Sequence, residues 1–220
     1  MTVCYTTALK NLFSLSSRER CITNFKKITI PRYGKLPTET ASVLVPLCKV
    51  EEIPSLLYTV RASHLRTNSG EIAFPGGKTD KDEDAVQTAL RETFEEIGLS
   101  QDKIEVWGQG PAVPGRNNKI LITPVVGSIL DLKPEDLKIN QTEVTEVFTI
   151  PIEMLCEQKN QYYTQFRNGF ILPVFVVENY KIWGITAYIT HAFLSSILSS
   201  DLYRNEWMKK KIVIDKTEKA

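Results

Sequence analysis

The chain has 220 residues, 42% of them apolar and 24% charged, with a formal net charge of +1. That length suits one domain with extensions and a proper buried core, and the composition is that of a globular protein. Near-neutral charge excludes a general polyanion-binding surface, so a polyanionic substrate would need a local basic focus. No apolar run reaches transmembrane length. Cys4, Cys21, Cys48 and Cys156 are scattered and lack C-x-x-C spacing. They read as reduced thiols of an intracellular protein, not as a disulfide frame or a zinc site. His64 and His191 are too few and too far apart for a metal motif.

In chain order, residues 1–35 form an N-terminal extension of distinct character. Met1 to Lys27 is rich in Ser and Thr and carries Lys10, Arg18, Arg20, Lys26 and Lys27 against one acid, Glu19. That is the composition of a mitochondrial presequence. A helical or disordered extension of a cytoplasmic enzyme is the alternative. The main domain is expected over 38–200. Ala41 to Val50, Leu56 to Arg61 and Glu71 to Phe74 read as strands, the last leading into Pro75-Gly76-Gly77. A helix follows from about Glu83 to Ile97, with Asp82 or Asp84 as cap and Gly98 at its end. Ala85, Val86, Ala89, Leu90, Thr93 and Ile97 give it one apolar face. Lys103 to Trp107, Lys119 to Val126 and Val144 to Ile150 read as further strands. Pro151 opens a short helix to Cys156. Phe170 to Val177 and Tyr180 to Trp183 form a hairpin, and a last helix runs from Thr186 to Ser199. Residues 201–220, with Lys209-Lys210-Lys211, read as a solvated basic tail. Strands flanking two substantial helices give an α/β class.

The segment from Gly77 to Leu99 carries the chemistry. Glu92, Glu95 and Glu96 fall within one helical turn, where residues three and four apart are neighbours. Such a cluster is costly unless a cation sits on it, and oxygen-only ligands suit Mg²⁺ or Mn²⁺ better than zinc. The spacing is G-x5-E-x7-R-E-U-x-E-E-x-G-U, where U is bulky and apolar. Gly77, Glu83, Arg91, Glu92, Glu95, Glu96 and Gly98 fill every fixed letter, and Thr93 at the first U is the one departure. The segment resembles the box of the Nudix hydrolase family.

The resemblance implies an α/β/α sandwich around a mixed sheet, and metal-dependent hydrolysis of a diphosphate bond. It implies that Glu92 and Glu96 hold the cation, with Glu95 binding directly or through water. Arg91 would orient Glu95, and Glu83 would reach Arg91 or a metal-bound water. Gly76 and Gly77 would bring backbone close to the metal. A catalytic base is needed as well. Glu143 and Glu146, near the start of a strand, are candidates, and Glu92 is the alternative within the box.

The stretch from Leu56 to Gly77 is similar to the second signature of coenzyme A diphosphatases, roughly L-L-x-x-R-S-x-x-L-R-x-H-x-G-x-(I/V)-x-F-P-G-G. Leu56, Leu57, Arg61, Leu65, Arg66, Gly70, Phe74 and Pro75 match, while Ala62 and Asn68 depart. Residues 40 to 195 look most like the mitochondrial branch of that subfamily. The resemblance implies coenzyme A and its thioesters as substrates. Arg61, Arg66 and Lys78 are the expected phosphate-binding cations, because arginine forks suit phosphate oxygens. A diphosphatase for ADP-ribose or a dinucleotide such as NADH, and a non-catalytic nucleotide-binding module, are the alternatives. No basic, aromatic-interleaved stretch supports a nucleic-acid partner. Monomer and homodimer both remain open.

Overall fold

The computed structural model describes residues 9, 11–29, 37–63, 70–115, 118–166 and 169–212. Its centre is β1 (Glu39–Val50), parallel to β7 (Ile120–Ile129) in an unbroken register from Glu39↔Ile120 to Cys48↔Ile129. The other side of β1 is shared. Its first half pairs with β4 (Gly76–Lys78), and its second half with β2 (Ile53–Arg61). The β1–β2 turn puts Glu51 and Glu52 at φ 48° and 66°, as a two-residue hairpin turn demands. β2 then diverges to pair with β3 (Ile72–Ala73) and, along its far side, with β8 (Val144–Pro151). β5 (Glu105–Gln109) and β6 (Val113–Pro114) complete the mixed sheet by pairing with β7.

Strand alternation sorts the core onto two faces. Leu44, Cys48 and Leu57 point to one face and pack with Ala89 and Ile97 of a helix that covers it, Ala85–Ile97. Val45, Leu47, Leu56 and Tyr58 point to the other, against Phe193 and Leu194 of the helix Gly184–Ile197. A second, three-stranded antiparallel sheet, β9 (Gln161–Gln165), β10 (Ile171–Val177) and β11 (Tyr180–Ile182), packs on that side. In chain order the helices are α1 (Leu15–Phe25), α2 (Ala85–Ile97), α3 (Ile152–Cys156) and α4 (Gly184–Ile197). This is the expected sandwich. Among the described residues no helix is long and apolar enough to cross a membrane.

Two boundaries differ from those expected. α1, inside the basic extension, belongs to the core, with Cys21 and Phe25 buried beside α4. Its polar residues cap the neighbour: Arg20 and Asn24 donate to the carbonyls of Ile197 and Ser196 at the end of α4. Arg18 pairs with Glu105 on β5. Residues Leu15–Phe25 therefore pack with the main domain and are not a separate extension. The C-terminal segment is not wholly solvated either. Tyr203 and Trp207 are buried, and Tyr163 on β9 exchanges backbone hydrogen bonds with Lys210 and Ile212.

Candidate active site

α2 is built to present carboxylates at its sheet side. Asp84 caps it, accepting from Val86 and Gln87, while Gln87 accepts from the Asp84 N–H to close a capping box. Gly98 ends it in the left-handed region at φ 70°. Thr93, the departure from the box pattern, donates its hydroxyl to the Ala89 carbonyl at 2.6 Å and is fully buried. It therefore packs as the position requires without leaving a polar group unpaired.

Glu96 lies one turn beyond Glu92 and is only 2% exposed. Its Oε2 accepts the Gly76 N–H at 3.1 Å, and its Oε1 faces Arg61 Nη1 at 3.6 Å. The glycine pair is a steric necessity. A Cβ on Gly77 would land on the Glu92 carboxylate, and one on Gly76 would collide with the Ser42 carbonyl on β1.

The third acid arrives from the loop before β8. Glu92, Glu96 and Glu143 each offer an oxygen within 4.8 Å of the other two. The loop is tied to the end of α2, since Lys138 and Asn140 N–H groups donate to the carbonyls of Ile97 and Glu96. Asn140 also folds the loop locally, accepting from the Thr142 N–H and hydroxyl and donating to Glu143 Oε1 at 3.4 Å. Ala62 N–H holds the Glu143 carbonyl at 2.8 Å, which anchors the loop to the end of β2.

Arg91 spends its donors on the surrounding acids. Nε and Nη2 fork onto Glu83 at 2.7 and 3.0 Å, and Nη1 reaches Glu92 at 3.0 Å and Glu95 at 3.1 Å. Nη2 also donates to the Lys78 carbonyl. The guanidinium holds the Glu83 carboxyl down at about 2. Glu92 is raised by burial, against the pull of Arg91 and helped by the charges of Glu95 and Glu143. Burial pushes Glu96 up to about 8, opposed by the Gly76 N–H and Arg61 and reinforced by Glu92 and Glu143. Two raised carboxyls beside a third, with no histidine or thiol among them, make a hard oxygen donor set that fits a divalent cation.

The expected residues divide accordingly. Glu92, Glu96 and Glu143 come together. Glu95 does not join them; its half-exposed side chain is held by Arg91. Glu83 serves Arg91, not the cluster. Gly76 and Gly77 lie against the carboxylates. Arg61 turns inward to Glu96. Lys78 points away, pairing with Glu39 at 2.6 Å at the exposed start of β1. Glu146 accepts from the Tyr180 hydroxyl, away from the acid cluster. Arg66 lies outside the described residues. Asn140 is the site residue not anticipated; an Asn two residues before a Thr, just ahead of a strand, is the turn chemistry that could have pointed to it.

The NUDIX domain model matches residues 38–169. The mitochondrial coenzyme A diphosphatase NUDT8 of Homo sapiens is 43% identical over 171 residues, covering 75% of this chain and 72% of that protein. The Mus musculus protein of the same name is 44% identical over 170 residues, covering 74% and 80%. Nudix hydrolase 3 of Caenorhabditis elegans is 33% identical over 225 residues, covering 91% and 92%.

Proposed function

The chain belongs to the Nudix family of hydrolases, and from that premise we propose that it is a divalent-cation-dependent diphosphatase acting on coenzyme A and acyl-coenzyme A. The products are 3′,5′-ADP and 4′-phosphopantetheine or its acylated form. The observation that carries the chemistry is the meeting of Glu92, Glu96 and Glu143 beside the Gly76–Gly77 backbone. Substrate class rests on the stretch from Leu56 to Gly77, and on relatives whose names state that activity.

The three acids would hold magnesium or manganese, which when bound neutralises diphosphate oxygens and lowers the pKa of a bound water. Glu92, whose carboxyl is raised by burial and stands in the acid cluster, is the group suited to accept the proton of the attacking water. Arg91 fixes the rotamers of Glu83, Glu92 and Glu95 together, so the acceptor is held before substrate arrives. The side-chain-free Gly77 lets the backbone lie directly against the Glu92 carboxylate, where any Cβ would collide with it. The names of the relatives support a mitochondrial location.

Incubating the full chain with Mg²⁺ or Mn²⁺ and coenzyme A, acyl-coenzyme A, ADP-ribose, NADH or capped RNA, with products read by mass spectrometry, tests the proposal. It predicts 3′,5′-ADP, fastest from the coenzyme A compounds. Faster turnover of ADP-ribose or NADH would refute the substrate class, and no turnover at all would favour a binding module.

A further inference from the structure

Arg61 is placed with unusual economy on one side and waste on the other. Its backbone is fixed: the N–H donates to the Glu71 carbonyl at 3.1 Å, and the carbonyl accepts from Gly70 at 3.0 Å. The β2–β8 pairing shifts register between Val60 and Arg61, with Thr145 the extra residue on β8, so β2 keeps its alternation and Arg61 stays on the face of Leu57. The guanidinium that results is poorly held. Its Nη1 stands 3.6 Å from Glu96 Oε1, beyond hydrogen-bond range, and its Nε is buried with no acceptor among the described residues. A buried donor left unpaired is destabilising, and a five-donor fork is seldom used so sparingly.

Oε2 of Glu96 accepts the Gly76 N–H, whereas Oε1 has no backbone donor and is the oxygen Arg61 faces. Arg61 is also next in sequence to Ala62, whose N–H holds the Glu143 loop. The guanidinium thus sits against one member of the acid cluster and beside the anchor of another.

We propose that Arg61 and the divalent cation compete for Glu96, so that binding of the cation releases Arg61 to bind the substrate's phosphate oxygens. The idea rests on the diphosphatase reading above and adds an order of events. Glu96 would hold the cation together with Glu92 and Glu143, and the Arg61 guanidinium, repelled by the like charge, would give up its place beside Glu96. The freed fork, on a fixed backbone, then offers paired donors to a phosphate. Arg61 is on this account a positioning and recognition residue whose substrate contact depends on the cation.

The test uses the full chain with Mn²⁺ alone, its free concentration followed by electron paramagnetic resonance. Arg61→Gln should bind Mn²⁺ more tightly by about tenfold, the low end of what a neighbouring charge does to a carboxylate's affinity for a proton. Arg61→Lys, which keeps the charge on a more mobile stem, should fall between. In the unaltered protein, Mg²⁺ should shift the Arg61 Nε–H resonance in ¹⁵N spectra, a readout independent of any variant's folding. At saturating Mn²⁺, Arg61→Gln should raise KM for coenzyme A more than it lowers kcat. Unchanged or weaker Mn²⁺ binding in Arg61→Gln would overturn the proposal, as would an Arg61 resonance indifferent to Mg²⁺. Tighter binding without release of 3′,5′-ADP would sink the substrate reading and leave the competition standing. Normal product formation without tighter binding would do the reverse.

Discussion

Replacing Glu96 by glutamine, in protein stripped of divalent cations, should stabilise the fold in alkali and do little in acid. Burial holds the Glu96 carboxyl at about 8, against about 4.3 for an exposed glutamate. Between those values the folded chain keeps a proton that the unfolded chain releases. Stability is therefore whole below the lower value and declines as pH rises through the upper one. The full span is worth up to about 5 kcal/mol, at 1.36 kcal/mol for each pKa unit. Glutamine carries no charge to desolvate, and its amide oxygen can still accept the Gly76 N–H. What it loses is the attraction of Arg61 at 3.6 Å, which is already the weaker influence, because the carboxyl is raised despite it. Urea titrations in EDTA at pH 5 and pH 9 measure this directly. The variant should match the parent at pH 5 and exceed it by several kcal/mol at pH 9, with Mg²⁺ reversing that order. A variant no more stable than the parent at pH 9 would mean that Arg61 and Gly76 fully compensate an ionised Glu96, and the argument from burial would fail.

The two acids around the start of β8 should separate cleanly in steady-state kinetics. Glu143→Gln, which removes one of the three acids that would hold the cation, is expected to lower kcat by about 100-fold or more, whereas Glu146→Gln, bonded to Tyr180, should stay near the parent. Gly77→Ala pushes a methyl group onto the Glu92 carboxylate and should cost about 100-fold in kcat, the scale of a misplacement near 1 Å, with a full Mn²⁺ titration showing whether the cation is lost too. Phe25→Ala should destabilise by about 3–5 kcal/mol in urea titrations, because Phe25 is core; a cost near zero would return α1 to the status of a dispensable extension. His191, lowered to about 4 by burial, stays neutral in the fold while the unfolded chain takes up a proton. Stability should fall by about 3 kcal/mol as pH drops from 6.5 to 4, and His191→Gln should flatten that slope in thermal melts.

The helix with the carboxylates was legible because its apolar spacing, its Asp84 cap and its Gly98 stop all agree. The glycine pair was legible for the same reason: no other residue fits against Glu92 and Ser42. What the sequence concealed is mostly long-range. α1 is polar and sparsely apolar, and becomes a core helix only because α4, from the far end of the chain, supplies its partner. β9 reads Gln-Tyr-Tyr-Thr-Gln, without apolar alternation, and is held by pairing with β10. Arg61 looked like a free cation beside a loop, yet strand alternation puts it on the same face as Leu57, towards α2, and that period-2 signal was available. Lys78 could not be placed without knowing that β4 lies along β1, which brings Glu39 within reach.

The stitching of the Glu143 loop to the last turn of α2 makes loop length a chemical parameter. Lys138 and Asn140 satisfy carbonyls that a helix end would otherwise leave open, so helix termination and delivery of the third carboxylate are one event. Surface loops ordinarily absorb insertions at little thermodynamic cost. Here a single residue added between Asn140 and Glu143 would break the turn and carry the carboxylate out of register with Glu92 and Glu96, while the polypeptide still folded. Family members that vary this loop would thus change their affinity for the cation before they changed their stability, and the loop is where metal dependence can be retuned without touching the box.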